Sequence, residues 1–328
     1  MRVFTDGAEF QDFLFWTSYA GLTVTTTASY IRSGNAAYRF TSGSQVAYKT
    51  LQTSLSEFYF RIGIRPEAAG ASRFPAWFAG ATEIGSIRSN ASTYLLETYF
   101  GTTLVATGSI PMSINNYYLI DGYVKIADSP NGVFQMKIDG ILDINFSGDT
   151  KPDTNTAINR LGLTSGAAFA FDDFALNNIL GGVDDSWIGD GRVKILTPNA
   201  AGDVTGLIPS AGNNYECVDD FPNDGDTTYV GDTVVDEYDL YNLTPCGLAN
   251  VDILRVWAEA RARDVNAVGG LCKLGVKTEA TEYWSAGDLN LLTSYIPIVG
   301  THHIVNPNTS LAWTVEQLDA LQAGFKVR

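Results

Sequence analysis

The stretch from Tyr117 to Leu176 constrains this chain most, because it reads as an antiparallel β-meander. In Val133-Phe134-Gln135-Met136-Lys137-Ile138, the residues Phe134, Met136 and Ile138 alternate with Gln135 and Lys137, which is the period of a half-buried strand. Asp139-Gly140 follows, a pair that tolerates the positive φ angles of a two-residue hairpin turn. The chain resumes as Ile141 to Phe146, with Leu142, Ile144 and Phe146 expected on one face and Asp143 and Asn145 on the other. Upstream, Tyr118, Ile120, Val124 and Ile126 share a face, and Ser129-Pro130-Asn131-Gly132 supplies the intervening turn.

The rest of the chain extends this pattern. In residues 57–65, Phe58, Phe60, Ile62 and Ile64 alternate with Tyr59, Arg61 and Gly63. Shorter strand candidates are Leu22–Ala28, Ala37–Phe40, Trp77–Ala79, Glu83–Arg88, Tyr94–Phe100, Thr103–Thr107, Asn159–Leu163 and Ala168–Leu176. Turn signals recur roughly every 8–12 residues, the spacing of a sandwich or jelly roll. Leu180 to Gly191 is rich in Gly and Asp and reads as a linker. The expected organisation is therefore mainly β: an N-terminal jelly-roll β-sandwich over 1–180, a linker over 181–191 and a second β-rich domain over 192–328.

In that second domain the strand candidates are Val193–Leu196, Tyr215–Val218, Thr233–Leu243, Leu271–Lys277 and Leu291–Val299. Val251 to Arg263 suits a strand or a helix by pattern, and its turn-like flanks favour the strand. One short C-terminal helix is expected. Thr314 can cap it, Gln317 lies three residues on, Leu318 and Leu321 share a face, and Gly324 is read as its stop.

The charge narrows the partners. Lys and Arg number 21 against 36 Asp and Glu, a net charge of −15, and there is no basic run to hold a phosphate backbone, so nucleic acid is not an expected partner. Cys217, Cys246 and Cys272 form neither a disulfide framework nor a zinc pattern, which fits assembly in a reducing cytoplasm. Met1 to Gly7 lacks an apolar signal core, and no run approaches the roughly 18 apolar residues of a membrane span.

Two sets of motifs carry a resemblance. Tyr117-Tyr118-Leu119-Ile120, the hairpin Gly132 to Gly140 and Ala170-Phe171-Asp172-Asp173-Phe174-Ala175-Leu176 resemble the concanavalin A-like lectin/glucanase (laminin-G-like) sandwich found in bacteriophage proteins. The second domain is similar to the C-terminal module of tailed-phage virion proteins. It carries Pro209-Ser210-Ala211-Gly212, Asn214-Tyr215, Val218-Asp219, Asp224 to Val230, Asp239-Leu240-Tyr241, Asn306 to Thr309, Ala312-Trp313-Thr314 and Leu321 to Val327. The resemblance implies a non-enzymatic virion structural protein (tail, fibre or head decoration) that packs against its own copies and other virion proteins. It implies a homo-oligomer, with a trimer as the guess, made and assembled in the host cytoplasm. The alternative is a host-adsorption module whose sandwich binds surface glycan.

Candidate chemistry is sparse. Glucanases place three carboxylates at Glu-x-Asp-x-x-Glu, whereas Glu237-Tyr238-Asp239 is followed by Asn242 at the last position, so no catalytic residue is assigned. His302-His303 would point to opposite faces of a strand and lacks companion ligands. The acidic loop with Asp219, Asp224 and Asp226 has an oxygen-rich composition suited to calcium, the one cofactor considered, though not the spacing of an EF-hand. Asp172-Asp173 and Asp184-Asp185 invite the same idea more weakly. For stacking on sugar rings the candidates are Trp77, Tyr94, Tyr99 and Tyr117.

Overall fold

A computed structural model describes all residues, Met1–Arg328. The chain divides into two compact units, Met1–Lys194 and Ile195–Arg328. Unit 1 begins with β1 (Arg2–Asp6), β2 (Ser18–Ala20), β3 (Leu22–Thr25), β4 (Ala37–Phe40) and β5 (Val46–Leu55). Next come β6 (Glu57–Pro66), β7 (Arg73–Ala79), β8 (Thr82–Ser89), β9 (Leu96–Phe100) and β10 (Thr103–Thr107). It closes with β11 (Tyr118–Lys125), β12 (Gly132–Ile138), β13 (Ile141–Gly148), β14 (Ile158–Thr164) and β15 (Phe169–Asn178).

These strands build two antiparallel sheets. The first runs β13-β12-β11-β6-β15-β4-β3, with β1 also pairing to β15, and the second runs β10-β9-β8-β7-β14-β5-β2. Alternation explains the packing between them. Phe58, Phe60, Ile62 and Ile64 of β6, with Ile120 and Val124 of β11, are fully buried. They meet Trp77, Ile84, Ile87 and Leu161 from the second sheet in one core. The mainly β sandwich expected from the sequence is thus present, and every side chain on the opposite side of β6 and β11 is placed on the outer face of the first sheet.

The hairpin β12–β13 has its expected turn, with φ of 50° at Asp139 and 81° at Gly140. The expected row of Leu142, Ile144 and Phe146 is broken. Met136 pairs with Ile144 but Lys137 pairs with Leu142, so a bulge sits at Asp143. Ile144 is buried while Leu142 is half exposed. The extra residue is used: Asp143 Oδ1 accepts from the Ser109 and Ile110 amides and the Ser109 hydroxyl, joining this edge to the chain after β10.

Unit 2 contains β16 (Pro198–Thr205), β17 (Ile208–Pro209), β18 (Val230–Gly231), β19 (Tyr238–Leu243) and β20 (Glu259–Ala262). It continues with β21 (Leu271–Thr278), β22 (Thr281–Trp284), β23 (Leu289–Asn290), β24 (Ile296–Val299), α1 (Val315–Asp319) and β25 (Gln322–Val327). Its main sheet runs β16-β19-β25-β21-β22, and its core gathers Cys272, Leu274, Val276, Ile298, Trp313 and Leu318.

Several expected elements of unit 2 shift. Tyr215 lies in a 3-10 turn closed by a capping box between Asn213 and Glu216, not in a strand. The first strand is Pro198–Thr205 rather than Val193–Leu196. Thr233 and Val234 donate their amides to Asp232 in a turn, which delays the next strand to Tyr238. Val251–Arg263 narrows to Glu259–Ala262, flanked by isolated bridges at Ile253 and Val256. The helix does start at the Thr314–Gln317 box, but it ends at Asp319, and Gly324 lies inside β25.

Candidate functional site on the outer sheet face

The outer face of the first sheet is read from the register of three strands. Tyr123 of β11 lies opposite Gln135 of β12 and Tyr59 of β6. Asp121 lies opposite Lys137 and Arg61, and Leu119 lies opposite Gly63. Residues two apart on a strand are about 7 Å apart on one face. Tyr123, Asp121 and Leu119 therefore form a continuous row.

At one end of the row is an aromatic platform. Tyr59 and Tyr123 stack with ring centroids 4.7 Å apart, and Trp187 meets Tyr59 edge-on at 5.6 Å. Lys137 Nζ sits 4.0 Å from the centre of the Trp187 ring, and the Tyr123 hydroxyl donates to Glu57. All three aromatic rings are half-buried, so each keeps some surface in solvent.

Trp187 comes from the segment read as a linker, and that expectation needs correction. Residues 181–191 belong to unit 1 and are strapped onto its outer sheet face. The Gly189 amide donates to Asp121 Oδ2 at 3.1 Å, and Asn177 donates to the Ser186 carbonyl at 3.1 Å. Arg61 Nη1 donates to the Gly189 carbonyl, and Arg32 bonds to both Asp190 and the Gly191 carbonyl. Composition shows turn-forming residues there, but the anchors lie far away in sequence: Asp121, Asn177 and Arg61 on strands and Arg32 in the segment before β4.

At the other end of the row is a cleft of about 230 Å³, lined by Arg32, Tyr117, Leu119, Asp121, Asp139, Gly140, Gly189 and Asp190. Arg32 reaches it because Gly63 has no side chain; a Cβ at Gly63 would lie 2.6 Å from Arg32 Cδ. Behind the cleft, β15 bulges between Asp172 and Ala175, and Asp173 takes a φ of 51°. The bulge turns two adjacent carboxylates inward to receive donors. Asp172 Oδ2 accepts the Arg32 and Ser33 amides at 3.0 and 3.1 Å. Asp173 accepts Arg32 Nη1 at 2.6 Å, the Ser33 hydroxyl and the Val193 amide.

Asp121 is the exception among these carboxylates. It is 4% exposed, and its Oδ1 has no hydrogen-bond partner. Its two cationic neighbours are turned elsewhere. Lys137 lies over Trp187, and Arg61 Nε donates to the Asp173 carbonyl at 3.1 Å. Burial raises the Asp121 carboxyl above its ordinary range, against the pull of Arg61, the Gly189 and Ile188 amides and Lys137. Burial also pushes the Arg61 guanidinium down to about 10, with Asp173 opposing. Tyr117 is held well above the usual phenol range by burial and by Asp172 and Asp173, and its hydroxyl donates to the Tyr30 carbonyl at 2.6 Å.

The sugar-stacking candidates from the sequence do not converge. Trp77 is fully buried between the sheets, packed against Phe134 and Phe100, and offers no face to a ligand. Tyr94 lies in the β8–β9 connection, beside a small cavity of about 10 Å³. Tyr99 is on the second sheet, under Arg88 at 4.0 Å and bonded to Glu97. Tyr117 alone reaches the cleft. Tyr59, Tyr123, Trp187 and Asp121 were missed. The signal for the first two was their outward position in strands whose inward residues were read correctly.

The acidic loop of unit 2 does not gather its carboxylates. Asp226 binds Arg263 and Tyr295, and Asp224 caps Thr228. Asp219 is raised by burial and by Asp220. No group of three or more His, Cys, Asp or Glu side chains is placed to hold a metal ion. Asp239 is fully buried and accepts from the Gly206 and Leu207 amides, Asn214 and Tyr241, which makes it a structural hub of unit 2. The two imidazoles pack against different partners: His302 stacks on Trp257 at 4.9 Å, and the His303 ring meets Tyr283 edge-on at 6.3 Å. The cysteines are free and buried, and no helix is long and apolar enough to cross a membrane.

No family model and no curated protein matches this chain. Solved structures match parts of it. An endo-β-1,4-glucuronan lyase from Trichoderma reesei is 12% identical with a TM-score of 0.40, over 54% of this chain and 95% of its own. A marine alginate lyase from Aplysia kurodai gives the same score and identity over 54% and 98%. A carbohydrate-binding module from Bacillus subtilis is 13% identical with a TM-score of 0.33, over 49% and 98%. Likeness at this level assigns neither a family nor an activity to the chain.

Proposed function

We propose that unit 1 is a carbohydrate-binding module and that the outer face of its first sheet holds the saccharide. The observation that carries this is the row on β11. Tyr59 and Tyr123 stack on each other and keep part of their ring surface in solvent for a sugar to meet, and about 7 Å away Asp121, which lines a cleft of about 230 Å³, keeps a buried oxygen with no hydrogen-bond partner. Such an oxygen is unfavourable in the empty site and gains a partner when a ligand donor enters. The lining also carries the carboxylates Asp121, Asp139 and Asp190, the residue type that glycoside hydrolysis uses, so release of reducing ends is measured alongside binding.

A glycan array followed by calorimetry tests the reading. The intact protein should retain at least one oligosaccharide family, and Tyr123→Ala should weaken that binding tenfold or more while leaving the thermal midpoint within a few degrees. Binding to no glycan, or binding indifferent to Tyr123→Ala, would contradict it. Release of reducing ends from a bound glycan would replace the binding reading with a depolymerase.

The virion structural role is the second reading, and on it exposed apolar side chains of unit 2 would be the surface that meets other copies. Leu254, Val265, Val268 and Leu311 are 61 to 80% exposed. Packing against other copies would cover them. Light scattering should then find an oligomer, a trimer on this reading. A monomer at micromolar concentration would remove it.

A further inference from the structure

Charge along the cleft points beyond saccharide binding in general. Three carboxylates, Asp121, Asp139 and Asp190, line it against one guanidinium, Arg32. That guanidinium is already engaged, since it bonds Asp173 at 2.6 Å and Asp190 as well. The flanking cations Lys137 and Arg61 face Trp187 and the Asp173 and Gly189 carbonyls, respectively. Asp190 is committed to Arg32 in turn, so a ligand entering here meets Asp121 and Asp139 as the carboxylates without an ion pair, and no uncommitted cation among the lining residues.

We infer that the cleft selects saccharides bearing a free amino group, that is glucosamine-type units, over N-acetylated and uronate-bearing ones. The inference rests on the glycan-binding reading above. An ammonium group donates three hydrogen bonds and carries the charge that a buried carboxylate lacks, and such charge-assisted bonds are roughly twice as strong as neutral ones. An acetamide offers a single neutral donor and adds a methyl group. A uronate brings like charge to Asp121 and Asp139, which opposes binding. The stacked tyrosines hold the adjoining sugar ring and set the register of the amine against Asp121.

The test uses the full chain and three probes of equal length: a β-1,4-glucosamine oligomer, its fully N-acetylated counterpart and an alginate oligomer. The glucosamine oligomer should bind at least tenfold tighter than the N-acetylated one, and the alginate oligomer most weakly. Asp121→Asn should abolish that difference while the N-acetylated oligomer still binds. Asp252→Asn, an exposed carboxylate of unit 2, serves as the control for general attraction to an acidic protein. Equal affinity for the two oligomers would overturn the inference and leave glycan binding standing. So would a difference that survives Asp121→Asn, or one that falls equally with Asp252→Asn. If Asp121→Asn fails to fold, Asp190→Asn, more exposed at the cleft rim, should lower the ratio in the same direction. Binding of none of the probes and of no glycan on an array overturns both readings together.

Discussion

Glu9 is a carboxyl that its surroundings push far from its ordinary charge state. It is 4% exposed, and burial, reinforced by Asp173, lifts its carboxyl to about 8. The Asn35 and Ala36 amides and Lys194 pull the other way. A carboxyl raised on folding binds more protons in the native state than in the unfolded chain. Its contribution to stability is therefore complete below about pH 4.5 and is lost as the pH climbs toward 8. Unfolding free energies from denaturant titration should decline across that window with a slope approaching about 1.4 kcal/mol per pH unit, and Glu9→Gln should flatten the decline. An unchanged profile in the variant would exclude Glu9 as the cause. Trp77 is a second residue-scale case. A fully buried indole in the core should cost about 3–5 kcal/mol when replaced by alanine, read by urea denaturation. A loss below 1 kcal/mol would contradict its placement. The sequence shows that Trp77 is aromatic and sits in a strand, but not which face of that strand looks inward. In β6 and β11 several alternating residues answer that question. In β7, Phe74, Ala76, Trp77 and Phe78 are all buried, so alternation gives no direction.

Among elements, strands with clean alternation were readable and irregular segments were not. The hairpin β12–β13 was legible through Asp139-Gly140, yet the bulge at Asp143 was hidden, because it answers to Ser109 and Ile110 more than thirty residues away. The strap over residues 181–191 was misread for the same reason. Its Gly and Asp content describes how it bends, while Arg32, Arg61 and Asp121 determine where it lies. Arg32→Ala tests this arrangement. It leaves the fully buried Asp173 without its guanidinium and the strap without two anchors, a loss of about 3–5 kcal/mol. Limited proteolysis should then cut within residues 181–193 well before the rest of unit 1. Cleavage at the wild-type rate would show that the strap does not depend on Arg32.

At the scale of the molecule, two β-rich units share one compositional style but different internal logic. Unit 1 is a two-sheet sandwich with an aromatic core, and one sheet carries the row Tyr123, Asp121 and Leu119 on its outer face. Unit 2 is organised around the buried Asp239 and a smaller core. Fold class was legible because burial alternates along single strands. The candidate site was not, because Tyr59, Asp121, Arg32 and Trp187 belong to four separate segments that only the sheet register brings together. Hydrogen exchange of the whole chain, with and without an oligosaccharide retained on the array, tests the central claim most directly. Slowed exchange should concentrate in peptides spanning 117–123, 137–140 and 184–191. Protection confined to unit 2, or to the second sheet around Tyr94 and Tyr99, would contradict the account.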